Sequence, residues 1–238
     1  MSFKLDNICK SYGDTIIFRE FCMELEEGVI SCILGPSGCG KTTLLNMIGA
    51  ITKPDSGTLH GFSGKKFSYI FQEPRLLPWK SVRGNIEFVL DGKFSARERR
   101  ENADKLINMV ELNGFANFYP SQLSGGMKQR VSIARAFATC SDVILMDEPL
   151  TGLDFTLKQN MIRWFSNIWE SDRRSVIFIT HDIDEALMLG NDIFVFGKPP
   201  VGVLDKEKIE TPPGHRSLLD SKIQEIKNRL IASLGYDI

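Results

Sequence analysis

The stretch Gly35-Pro36-Ser37-Gly38-Cys39-Gly40-Lys41-Thr42 constrains this chain more than any other. It matches G-x-x-x-x-G-K-[ST] at every fixed position. It follows a predicted strand (29–34) and opens a predicted helix (41–49), the context in which the pattern acquires structural meaning. Glycines let the backbone bend closely enough for several N–H groups to converge on phosphate oxygens, and the helix N-terminus adds its positive end. Lys41 is suited to bridge the β- and γ-phosphates of a nucleoside triphosphate, and the Thr42 hydroxyl to ligate Mg²⁺, with Thr43 completing the binding set. The cradle alone suits a kinase, a GTPase or a transport ATPase equally. The Cys39 thiol sits among these amides beside Lys41, which favours a reactive thiolate; an inert buried thiol is the alternative.

The rest of the chain supplies the scaffold. Val29 to Leu34 is a nearly continuous apolar run, as in a strand buried on both faces. Val143 to Met146 ends at Asp147, Ser175 to Thr180 closes at His181, and Asp192 to Phe196 reads as a further strand. Phe18 to Leu25 alternates partly, and Phe67 to Phe71 is an aromatic strand stopping at Gln72. Between them lie helical patterns: 126–139, and a face marked by Leu157, Met161, Trp164, Phe165 and Ile168. Ser95 followed by Glu98 has capping-box spacing, with Ala103, Leu106, Ile107 and Val110 repeating at helical period behind it. The block 73–121, together with the helix that follows it, predicts an inserted helical subdomain over about 73–140. A tail helix is expected over 217–234, with Leu219, Ile223, Ile226 and Leu230 on one face. Strands alternating with helices indicate a mostly parallel sheet covered on both sides.

Composition narrows the function classes. With 29 basic against 30 acidic residues, the net charge of −1 argues against a nucleic-acid binder working through bulk charge. The five cysteines are scattered with no C-x-x-C pair, which fits neither a disulfide framework nor a zinc knuckle and suits a reducing compartment. No window approaches the about 18 apolar residues that span a bilayer, and the opening 14 residues lack the apolar run of a leader. The expectation is a soluble cytoplasmic chain.

Two acids close the strand at 143–146. Carboxylates at the mouth of a parallel sheet are costly without a cation, so Asp147 is the candidate metal-side residue. Glu148 points another way by sequence position and is the candidate general base for an attacking water.

Leu123-Ser124-Gly125-Gly126-Met127-Lys128-Gln129-Arg130 then decides among the readings of the cradle. LSGGMKQR resembles the signature motif of the ATP-binding cassette (ABC) ATPases. Ser124, Gly125 and Gly126 open a predicted helix and so form a second phosphate-binding N-terminus. In that family two cassettes pair head-to-tail, each signature closing over the partner's nucleotide, which implies a homodimer when ATP is bound. The resemblance covers nearly the whole chain, 1–238. It implies an α/β P-loop NTPase fold with a mostly parallel sheet, helices on both faces, an N-terminal antiparallel β region and the inserted helical subdomain. Tyr12 resembles the aromatic that stacks on adenine. Gln72 resembles the glutamine that senses Mg²⁺ and the attacking water, and His181 the switch histidine at the γ-phosphate. Leu150-Thr151-Gly152-Leu153-Asp154 resembles the D-loop, with Asp154 reaching across the dimer; Thr151-Gly152 departs from the commoner Ser-Ala.

Phe71-Gln72-Glu73-Pro74-Arg75-Leu76-Leu77-Pro78-Trp79, the stretch His181-Asp182 with Glu185-Ala186, and the late 212–217 are similar to importer ATPases for nitrate, sulfonates and taurine. The resemblance implies ATP and Mg²⁺ as cofactors, separate transmembrane permease subunits, a solute-binding protein, no nucleic acid, and residence at the inner face of the cell membrane. An exporter cassette or a soluble non-transport ABC ATPase is the alternative. Leu77 and Trp79 are either a docking surface for a membrane subunit or part of the chain's own core.

Overall fold

Odd and even residues of the short apolar strands go to different faces of one sheet, and that alternation organises the protein. The computed structural model describes residues 2–92 and 94–235. Its larger sheet is built from β3 (Ile30–Leu34), β5 (Phe67–Ile70), β6 (Val143–Asp147), β7 (Ser175–Thr180), β8 (Asp192–Phe196) and β9 (Val203–Lys208). The order is β5-β6-β7-β3-β8-β9, parallel throughout except for the antiparallel edge strand β9. Cys32, Leu34, Ile144, Met146, Val176 and Phe178 pack into one core; Ile33, Val143, Leu145, Ile177 and Ile179 pack into another on the opposite face. The period of two between them is what a pleated strand buried on both sides requires.

Helices α5 (Phe155–Asp172), α6 (Ile183–Leu189) and α7 (Ser221–Ser233) supply the first core. The second is closed by α1 (Lys41–Ile48) and by an antiparallel sheet of β1 (Ser2–Tyr12), β2 (Thr15–Glu26) and β4 (Ser56–His60), ordered β2-β1-β4. A third cluster joins α2 (Val82–Phe88), α3 (Ala96–Met109) and α4 (Gly125–Ala138) through Ile86, Ala103, Ile107 and Val131. Helix α4 belongs to two cores: Val131 and Ala134 face α2 and α3, whereas Ile133 and Phe137 face the sheet.

The tail differs from expectation at its start. Ser221, not Ser217, opens α7, and Leu219 lies outside it at 92% exposure, because the Asp220 carboxylate accepts the N–H of Lys222 and caps the helix there. Ile223, Ile226 and Leu230 are buried. Strands β1, β4 and β9 and helices α2 and α6 carry no sequence pattern strong enough to bound them. No helix among the described residues is long and apolar enough to cross a membrane.

Candidate functional site

The tips of β3, β6 and β7 meet at one end of the parallel sheet, where ligands of such sheets are held. The loop after β3 is shaped by glycine. Gly38 and Gly40 have φ of +76° and +106°, and a Cβ on Gly40 would stand 2.5 Å from Ile17 Cγ2. Ala at 40 is therefore excluded twice, by backbone conformation and by contact. Gly40 opens α1, and a cleft of about 190 Å³ lies in front, lined by Ile17, Ser37, Gly38, Gly40, Lys41, Thr42, Thr43 and Glu148. The Lys41 ammonium donates to the carbonyls of Gly35 (2.7 Å) and Pro36 (2.9 Å), and the Cys39 N–H turns to Pro36 O.

Across the cleft, Thr42 Oγ1 donates to Asp147 Oδ1 at 3.3 Å. Burial raises the Asp147 pKa, and the Thr42 hydrogen bond counters it. Glu148 follows with a left-handed φ of 43°, a strained backbone for a non-glycine residue, fastened by its N–H to Ile179 O on β7. Its Oε2 receives the Thr151 hydroxyl (3.2 Å) and lies 3.0 Å from His181 Nδ1. An ionised carboxylate can only accept in both contacts. Lys41, Thr42, Asp147, Glu148 and His181 thus form one group around one cleft.

Other predicted residues stand apart from it. Ser124 caps α4 by accepting the Met127 N–H; neither it nor Gly125 nor Gly126 lines the cleft or hydrogen-bonds to its residues. Asp154 caps α5 through the Leu157 N–H at 2.9 Å. Tyr12 ends β1, half exposed, with the Lys10 ammonium 5.3 Å from its ring centroid. Gln72 is exposed after β5, next to a stack in which the Phe71 ring lies between Tyr69 and the Arg75 guanidinium.

Cys39 corrects an expectation. Its side chain is 1% exposed within the core beneath α1, and burial pushes the thiol's pKa up despite Lys41. The loop turns the sulfur inward, so the inert reading holds.

Sequence reading missed two polar features. Lys158, Thr180, Asp182 and Glu185 form a cluster flanking His181; their spacing of 22–27 residues gives no local signal. Gln129 on α4 donates to Pro149 O at 2.6 Å, tying that helix to the residue after Glu148, while its buried Oε1 has no partner among the described residues.

The family model described as ABC transporter matches residues 18–151. The chain belongs to the ATP-binding cassettes of ABC transporters. These are ATPases, and this one is related to the import-type subunits. Over 223 residues it is 36% identical to the nitrate import ATP-binding protein NrtD of Synechocystis, covering 90% of this chain and 83% of that protein. It is 35% identical over 233 residues to the aliphatic sulfonates import ATP-binding protein SsuB of Bacillus cereus, covering 95% and 92%. Among solved structures, the ATP-binding cassette MJ0796, described as a dimer in a post-hydrolysis state with ADP and phosphate, superposes with a TM-score of 0.74. It is 32% identical, with 87% of this chain and 98% of that one covered.

Proposed function

We propose that this cassette binds and hydrolyses ATP to power import of a small solute through separate membrane subunits. Phosphates sit on the amides of the loop Gly35–Gly40, including those of Pro36's successors Ser37, Gly38 and Cys39, and on the N-terminus of α1. Lys41, released from its two carbonyls, neutralises the β- and γ-phosphates, and Thr43 adds a hydroxyl beside them. Thr42 and Asp147 offer adjacent hard oxygens, one of them a part-buried carboxylate short of cationic compensation, a donor set that suits Mg²⁺; Gln72 is a third candidate. Mg²⁺ bound there supplies charge neutralisation on the phosphates. Tyr12 is assigned to the adenine.

The observation that carries the reading is Glu148, held in a strained turn with its carboxylate on His181. Glu148 accepts the proton of the attacking water, and His181 orients that carboxylate through Nδ1. Ser124, Gly125 and Gly126 stand away from the chain's own cleft, which supports their use on the nucleotide of a second copy, with Asp154 reaching across the same interface. The kinship with nitrate and sulfonate import subunits supports import, a permease and solute-binding protein as partners, and a location on the inner face of the cell membrane.

Glu148→Gln is expected to keep ATP affinity and lose turnover by about 100-fold or more, the signature of a group acting in the transition state. Lys41→Ala should lose affinity instead. Equilibrium nucleotide binding and steady-state phosphate release measure the two. With ATP and Mg²⁺, Glu148→Gln should elute as a dimer in size-exclusion chromatography. Full turnover in Glu148→Gln removes it as the base, and a monomer at every protein concentration removes the shared site.

A further inference from the structure

His181 is presented by a segment whose two neighbours are both fixed by one ion cluster. The Lys158 ammonium lies 2.7 Å from Asp182 Oδ2 and 2.6 Å from Glu185 Oε1, and the Glu185 side chain is 1% exposed. Thr180 Oγ1 donates to Glu185 Oε2 at 2.7 Å and accepts the Asp182 N–H at 3.0 Å. Asp182 Oδ1 accepts the N–H groups of Asp184 and Glu185, capping α6. Residues 180 and 182 are therefore pinned on either side of the histidine, whose own ring is free to meet Glu148.

An ion cluster built around a buried carboxylate such as Glu185 is a poor stabiliser, since apolar side chains of similar size often serve a core better. In this cluster the carboxylates also fix the backbone, through the Thr180 hydroxyl and the N–H groups of Asp184 and Glu185. Lys158 also belongs to the first turn of α5: its N–H donates to Asp154 O at 2.9 Å, and the Asp154 carboxylate caps that turn. One helical turn thus joins Asp154 to the segment carrying His181.

We propose that Lys158 is a positioning residue, holding the 180–182 backbone so that the His181 imidazole meets Glu148 and relaying displacement of the Asp154 turn to that histidine. The inference rests on the role given to His181 above. Displacement of the α5 N-terminus, where the partner copy is expected to bear, moves Lys158 directly, and the cluster carries that movement to the histidine in the same chain.

The test has two independent readouts. The chain has three histidines, so His181→Gln assigns the His181 imidazole signals in nitrogen-15 spectra. In Lys158→Met these signals should shift or broaden while those of His60 and His215 stay. The kcat for ATP should fall about tenfold with KM held within about twofold, and Lys158→Arg should restore both properties. Lys158→Met leaves Glu185 a buried charge without its partner, so Lys158→Met with Glu185→Gln is the folded control and should give the same imidazole change. Unchanged His181 signals in either variant overturn the proposal. So does a loss expressed in KM alone, or a kcat loss that Lys158→Arg does not recover. A wild-type chain that fails to hydrolyse ATP counts against the function proposed above, while the imidazole signals still decide the role of Lys158.

Discussion

Gly125 and Gly126 are neighbours in sequence and are glycines for different reasons. A Cβ on Gly125 would meet nothing within 4 Å, whereas one on Gly126 would stand 2.2 Å from Leu157 Cδ2 and 3.2 Å from its Cγ. Gly126 is where the first turn of α4 touches α5. Gly126→Ala should cost about 1–3 kcal/mol, because Leu157 must leave its place as a whole. Urea unfolding measures the loss, and Leu157→Ala in the same chain should relieve part of it. Gly125→Ala should unfold like the wild type, so any loss of ATPase there reflects approach to phosphate rather than fold. The sequence placed both glycines at the opening of a helix, but the packing duty of Gly126 left no local signal, since its cause lies 31 residues away in Leu157. Cys39 shows the same limit. Its neighbours in sequence argue for a thiolate, and only the direction in which the loop turns its side chain decides otherwise.

At the scale of elements, a reciprocal local signal was readable, whereas the single Asp220 cap of α7 and the contextual signals were not. Ser95 caps α3 with a complete box: its hydroxyl accepts the Glu98 N–H, and the Glu98 carboxylate accepts from the Ser95 backbone at 2.9 Å. Ser95→Ala should cost about 1 kcal/mol. Amide exchange should speed up in the first turns of α3 and leave β6 unchanged, because Ala103 and Ile107, the buried residues of α3, pack with α2 and α4. Equal acceleration across β6 would mean the two cores unfold as one. The α3 boundary could be read because both capping partners lie within four residues. Strand β4 could not, since Ser56-Gly57-Thr58-Leu59-His60 is exposed apart from Leu59 and exists only by pairing with β1. Strand β9 is hidden for a related reason. Its charged sequence Val203-Leu204-Asp205-Lys206-Glu207-Lys208 suits a solvated edge and has little apolar alternation. Helix α6, seven residues long, is fixed mainly by Asp182 and by the buried Arg216, which donates to the carbonyls of Leu187 and Gly190 at its end. Burial lowers the Arg216 pKa to about 10, so that cap remains charged at neutral pH.

For the molecule as a whole, the proposed import function requires a route from the cleft to a membrane subunit. The segment 74–81 joins the sheet to the helical cluster and is fastened by its backbone. Asn85 accepts the Leu77 N–H at 2.8 Å and donates to the carbonyls of Leu77, Lys80 and Ser81, while Arg135 of α4 donates to those of Pro74 and Arg75. These bonds hold the course of the chain without using its side chains. Leu76 packs on the helical cluster, Leu77 is half-buried, and Trp79 projects at 70% exposure. The sequence left open whether Leu77 and Trp79 belong to the core or to a docking surface, and Trp79 is outside the core. An indole so exposed on a backbone so firmly tied is suited to be an anchor for a partner. Trp79→Ala therefore removes little intramolecular packing. Its unfolding free energy should stay within about 0.5 kcal/mol of wild type, and the isolated subunit should keep its basal ATPase. In a reconstituted complex with the membrane subunits, assembly or transport should fail. The contrast between intact hydrolysis and failed transport is what separates a coupling residue from a structural one. A lowered stability would return Trp79 to the fold, and undiminished transport would free this surface of any part in coupling.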